Sequence, residues 1–150
     1  MIDSLDPSDC DLLAVLGSVR ARLEPRLRRH GLHMRWEVRE VATLPGFGPE
    51  MALQVMRVVQ EAVTNVVKHA GAGTITVRTG DAPDAAGSPG VFVEIRDDGA
   101  GYPPSAPRGR GRTSMERRAA RLGGHLVVGS SAAGTTVRLW IPRPGDAAAG

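Results

Sequence analysis

Between residues 8 and 30, apolar side chains recur every three or four positions, and Leu12, Leu13, Leu16, Leu23 and Leu27 make one stripe. That is the period of an amphipathic helix. Ser8 or Asp9 can cap its start and Gly31 can end it. Pro25 inside the span predicts a kink or break, because proline removes a backbone donor. The period then drops to two over residues 33 to 39, with Trp36 and Val38 on one side of a strand. Residues 44 to 49 form a turn-rich link. Residues 50 to 69 give the strongest helical signal in the chain. Strands are predicted over 74 to 79 and 91 to 97, separated by a Gly/Pro/Asp loop at 80 to 90. Four glycines and three prolines between 98 and 112 preclude regular structure there. A short helix at 113 to 122 follows. Strands at 124 to 129 and 135 to 141 form a hairpin around residues 130 to 134. Helices and strands interleave, which predicts an α/β or α+β domain with helices on one face of a mixed sheet.

Composition narrows this picture little. A length of 150 residues suits one domain, and aromatics at 3% leave the core to Val, Leu, Ile, Ala and Met. No apolar run approaches the roughly 20 residues of a membrane span, and the acidic start (Asp3, Asp6, Asp9) is unlike a signal peptide. One cysteine, Cys10, excludes an internal disulfide and fits a cytoplasmic setting. The net charge is only +3 and the arginines show no clustered face with interleaved aromatics, so nucleic-acid binding is not expected.

Three places carry candidate chemistry. In the helix at 50 to 69, Val55, Val59, Ala62, Val63, Val66 and Val67 share one side, and Arg57, Glu61, Asn65, Lys68 and His69 share the other. A solvated face would look the same. Asn is a poor mid-helix residue, however, and a carboxylate one turn from an amide oxygen suits magnesium, directly or through water. In the strand at 91 to 97, Val91, Val93 and Ile95 face inward and Asp97 shares their parity. The following Asp98-Gly99 could be a hairpin turn, but no returning strand follows. An inward Asp97 with Gly99 and Gly101 after it could instead accept a hydrogen bond from a flat base. Thr135 is inward by the same parity at the start of the last strand. The third place is the end of the loop. Gly109 and Gly111 alternate with arginines, and Thr113 to Glu116 has the spacing of a capping box. This is either an arginine-rich surface loop or an anion site at a helix N-terminus.

Together these motifs resemble the ATPase fold shared by gyrase, Hsp90, MutL and histidine kinases. Within it the chain is similar to the NarL/DesK-type sensor histidine kinases. Residues 60 to 70 (QEAVTNVVKHA) match that family's N box and residues 97 to 101 (DDGAG) its DxGxG box. Residues 109 to 124 resemble its GxGLxxMxxRAxxLGG segment, and Gly134-Thr135-Thr136 its GT box. The resemblance implies a two-layer α/β sandwich, the Bergerat ATP-binding fold, whose mixed, mostly antiparallel sheet is covered on one face by helices. It implies ATP and Mg²⁺ as ligands. Asn65 would hold magnesium, with Glu61 assisting through water. Lys68 and His69 would face the phosphates, Asp97 with Thr135 would receive adenine, Gly99 and Gly101 would shape the base pocket, and Gly109 and Gly111 would belong to the lid. Two departures stand out. Arg112 replaces the usual leucine, and Glu116-Arg117 reverses the usual Arg-Glu order. No histidine here is followed by an acidic residue, as the family's phosphoacceptor is. The resemblance thus implies a catalytic domain at 8 to 142, a remnant of the link from a dimerisation and phosphoacceptor domain at 1 to 7, and a frayed tail from 143. Such a fragment could not phosphorylate itself. Its partners would be its own phosphoacceptor domain and, through the parent protein, a response regulator. The domain would be cytoplasmic, under a parent that could be anchored in the inner membrane. The alternatives are an anti-sigma-factor-type serine kinase and a non-catalytic nucleotide-binding module.

Overall fold

The computed structural model describes residues 11–100 and 110–143, with the backbone alone at 69, 70, 110 and 111. Helix α1 (Leu12–Arg29) leads to strand β1 (His33–Glu37), then α2 (Pro49–Asn65) with a π-helical turn at Val66–Ala70. Strands β2 (Thr74–Asp81) and β3 (Gly90–Asp97) follow, then α3 (Arg110–Arg121), β4 (His125–Ser131) and β5 (Gly134–Pro142). The five strands form one sheet in the order β1-β2-β3-β5-β4. Only β1 and β2 run parallel, and the other neighbours are antiparallel. The mixed, mostly antiparallel sheet expected from the sequence is therefore present.

The helices cover one face. Leu16 and Leu27 of α1, Val55 and Val63 of α2, and Met115 and Ala119 of α3 join Ile75, Val77, Val93, Ile95, Leu139 and Ile141 in a single buried core. Alternation along β3 and β5 points every second side chain into that core. The opposite face holds Phe92, Glu94, Arg78, Arg138 and Trp140.

Two expectations about α1 change. Its cap is Asp11, whose Oδ1 accepts from the Ala14 N–H at 2.7 Å; Ser8 and Asp9 lie outside the described residues. The helix also runs through Pro25 without a break. Proline deprives the Ala21 carbonyl of its donor, but Ala21 and Pro25 are exposed, where water can replace it. Leu23 and Leu27, both buried, hold the helix down on either side of the proline. Among the described residues, no helix is long and apolar enough to cross a membrane.

Candidate functional site

Helix α2 buries Val55, Val58, Val59, Ala62 and Val63. Of the polar stripe opposite, Arg57 is exposed, and Glu61 and Asn65 are half-buried. Asn65 is the last α-helical residue. The chain then widens into the π turn, which holds Lys68, exposed, and the backbone of His69, and closes at Gly71 in the left-handed region, φ 59°. Such π turns recur at functional sites. The sequence showed only a helix here, because an i→i+5 turn leaves no pattern of its own. Past Asn65, the expected one-stripe alignment with Lys68 and His69 no longer follows from α-helical spacing.

Asp97 ends β3 on the core face, as its parity implied, and only 4% of it is accessible. Its Oδ1 accepts from the backbone N–H of Gly99 at 2.8 Å and of Thr135 at 3.3 Å. Among the described residues, nothing donates to Oδ2. Thr135, also buried, thus meets Asp97 through its backbone. Gly134, at φ 133°, lies so close that a Cβ there would overlap the Asp97 carbonyl oxygen. A buried carboxylate is costly unless its oxygens are bonded, so the arrangement fits a ligand that brings an N–H donor, such as a nucleobase amino group.

Asp98 is not a simple turn residue. Its Oδ1 accepts from the N–H groups of Gly73 at 2.8 Å and Thr74 at 3.0 Å. The Thr74 amide first, then that of Gly73, holds the carboxyl below the usual range. This bond ties the chain leaving the π turn to the strand end that bears Asp97. The sequence carried no signal for it, since the partners are 24 and 25 residues apart.

The glycine-arginine segment departs further from expectation. Helix α3 starts at Arg110, not at 113, so residues 110 to 112 are helical and Gly111 lies in the first turn. Thr113 and Glu116 are therefore inside the helix, not at its start. Glu116 pairs with Arg112 one turn earlier, at 3.7 Å. Gly101 and Gly109, and most of the loop expected to act as a lid, lie outside the described residues. Sequence reasoning also missed Gln54. This buried amide accepts from Nη1 of Arg118 at 3.0 Å and links α2 to α3.

Among the described residues, no three His, Cys, Asp or Glu side chains gather to hold a metal. A magnesium ion at Asn65 and Glu61 would complete its shell with phosphates and water, as Mg²⁺ sites that serve nucleotides commonly do.

The family model for histidine kinase-, DNA gyrase B- and HSP90-like ATPases matches residues 50–145. The chain is 31% identical over 147 residues to the histidine-protein kinase/phosphatase UhpB of Salmonella typhimurium, covering 95% of this chain and 27% of that protein. It is 39% identical over 90 residues to the nitrate/nitrite sensor NarQ of Escherichia coli, covering 59% of this chain and 15% of that one. The histidine kinase domain of the Erythrobacter litoralis EL346 blue-light-activated kinase has the same fold, with TM-score 0.70 and 21% identity over 95% of this chain and 65% of that one. The chain belongs to the histidine kinase-, gyrase B- and HSP90-like ATPase family, as an ATP-binding catalytic domain of the sensor histidine kinase type. It spans about a quarter or less of the length of these two relatives.

Proposed function

We propose that this domain transfers the γ-phosphoryl group of Mg-ATP to a histidine on a separate dimerisation and phosphoacceptor domain. The observation that carries the reading is Asp97, a buried carboxylate with one oxygen bonded by backbone amides and the other without a donor among the described residues. Asp97 receives the adenine amino group, with Thr135 holding it in place and Gly99 letting the base approach the backbone. Asn65 ligates magnesium and Glu61 orients the site through water. Lys68 and His69 face the phosphates. Gly101 in the base pocket and Gly109 in the lid rest on the motif resemblance, and Gly111, expected there too, lies in the first turn of α3.

Magnesium, when bound, neutralises the charge on the phosphates. The chain's own residues position substrate, which supplies most of the catalysis in phosphoryl transfer. A response regulator would take the phosphoryl group afterwards, and the domain would work in the cytoplasm.

The test is incubation with γ-labelled ATP, with and without the acceptor domain encoded beside it in the parent protein. The expected label is acid-labile and base-stable and sits on the added domain alone. Label on serine or threonine, or none on the added domain despite ATP binding, would refute the assignment.

A further inference from the structure

We propose that the free edge of β4 pairs with β4 of a second copy of this chain, antiparallel and about a two-fold axis at Val127, so that the sheet continues from one molecule into the other. The proposal is independent of the nucleotide reading.

The sheet has two edges, β1 and β4. An edge strand offers unpaired backbone N–H and C=O groups to any other strand, and proteins usually guard it with charge, proline or a bulge. β1 is guarded, since it carries Arg35 and Glu37, paired at 3.2 Å. β4 has none of these guards. Its seven residues, His125 to Ser131, include no Lys, Arg, Asp, Glu or Pro, and they pair with β5 in unbroken register. Its outer edge makes no backbone hydrogen bond among the described residues. Val127 is 54% accessible, and among the described residues only Leu53 is a second exposed large apolar side chain.

The same strand supplies the complement. A two-fold axis perpendicular to the sheet keeps the core faces of both copies on one side, so directly opposed residues share parity. Centred on Val127, the pairing sets Val127 against its own counterpart on the outer face. On the core face it sets Leu126 against Val128 of the second copy, and both are only half-buried in a single copy. His125, stacked on Trp140, opposes Gly129. Each aliphatic side chain of the strand thus meets another. Centring on Val128 would instead set Leu126 against Ser130 and Val127 against Gly129, and the apolar pattern selects the first register.

The helix beside this edge does not oppose the approach. α3 packs over β4 and β5 with α2 on its other side. Its Met115 and Ala119 are buried, and Arg118 reaches α2 at Gln54. Helical spacing leaves Arg112, Glu116 and Ala120 on the flank toward the β4 edge. Arg112 and Glu116 form an ion pair, so that flank is close to neutral, and the exposed Arg117 and Arg121 fall on other sides of the helix. Edge pairing buries less than the roughly 1,000 Å² of a stable interface, so the association is weak and is best trapped covalently.

The test places cysteines on β4 in a Cys10→Ser background, which removes the chain's own cysteine. Opposed Cα atoms of an antiparallel pair stand about 4.5–5.5 Å apart, within reach of a disulfide. In a glutathione redox buffer, Val127→Cys should therefore form a cross-linked dimer at least about tenfold faster than Gly129→Cys, whose Cα atoms would stand about 14 Å apart. Sedimentation equilibrium of the 150-residue chain should show a monomer–dimer equilibrium. Val127→Lys and Val127→Glu should each weaken it roughly fivefold or more, because like charges then oppose each other, and an equimolar mixture of the two should restore it. Val127 is exposed, so both variants should keep the wild-type urea midpoint. Equal cross-linking rates at 127 and 129, a chain still monomeric at about millimolar concentration, or a dimer indifferent to both charges overturns the proposal.

Discussion

Both acidic side chains of β3 are buried, on opposite faces of the sheet, and they are satisfied in opposite ways. Glu94 is fully partnered from within. Arg78 donates to Oε1 at 2.9 Å, Arg138 donates to Oε2 at 3.1 Å, and the Arg138 guanidinium lies 3.9 Å from the Phe92 ring centroid. This layer seals the sheet face that no helix covers. Asp97 has one oxygen partnered and, among the described residues, one open. The two residues should therefore respond oppositely to substitution. Glu94→Ala leaves two half-exposed arginines facing each other, and should cost about 1–3 kcal/mol by urea unfolding, the range for hydrogen bonds to charged groups, with ATP affinity unchanged. Asp97→Asn keeps an oxygen for Gly99 and Thr135 but turns an NH₂ toward the ligand's donor. ATP affinity should fall roughly ten- to hundredfold in a protein that still unfolds near the wild-type urea midpoint. Calorimetry giving equal ATP affinities for Asp97→Asn and wild type would remove the adenine assignment. The parity of β3 made Asp97 legible in the sequence. Glu94 was not singled out in the sequence, because its burial depends on arginines from two other strands, which no local pattern announces.

Among the elements, the join between the π turn and β2 depends on Asp98. Its carboxyl is held below the ordinary value by the Thr74 and Gly73 amides. A group with a depressed folded pKa contributes stability above its unfolded pKa, and that stability is lost as pH falls through the folded pKa. Wild type should thus unfold at higher urea than Asp98→Asn at neutral pH. The gap should close as the pH drops below the usual carboxylate range, because the protonated acid is also neutral. A gap that stays constant down to acid pH would show that the carboxylate charge is not what matters. Helix α3 shows why boundaries are less legible than faces. Thr-x-x-Glu reads the same inside a helix as at its start, so residues 113 to 116 suggested a helix start, whereas α3 begins at Arg110. The two departures from the family motif prove to be related. Arg112, in place of leucine, and Glu116, in place of arginine, are the partners of one i,i+4 pair. The α2 face was legible because valines at helical spacing leave little choice. The π turn at its end was not, because the same residues fit an α-helix.

At the scale of the whole molecule, nucleotide binding and folding are linked, since the site draws on α2, β3 and β5, which come together only in the native state. A ligand at about a hundred times its Kd adds about 2.7 kcal/mol to stability. For a domain of this size that corresponds to a rise of roughly 5–10 °C in Tm. On the proposed assignments, Asp97 and Asn65 divide this gain between them. Asp97 would lie at the base end and should matter with or without metal. Asn65 ends α2, and its half-buried amide oxygen is available to a magnesium ion that arrives with the phosphates. ATP with a chelator should therefore raise the Tm of wild type and of Asn65→Ala by the same amount. Adding magnesium should raise it further in wild type but little in Asn65→Ala. Asp97→Asn should lose most of both steps. Asn65 sits at the rim of the core, so the unliganded Asn65→Ala protein should melt within a few degrees of wild type, and comparing increments removes that difference. If magnesium adds as much to Asn65→Ala as to wild type, the metal is held elsewhere and Asn65 is only the end of a helix. If neither increment appears in wild type, Asp97 does not receive adenine, whatever its geometry allows.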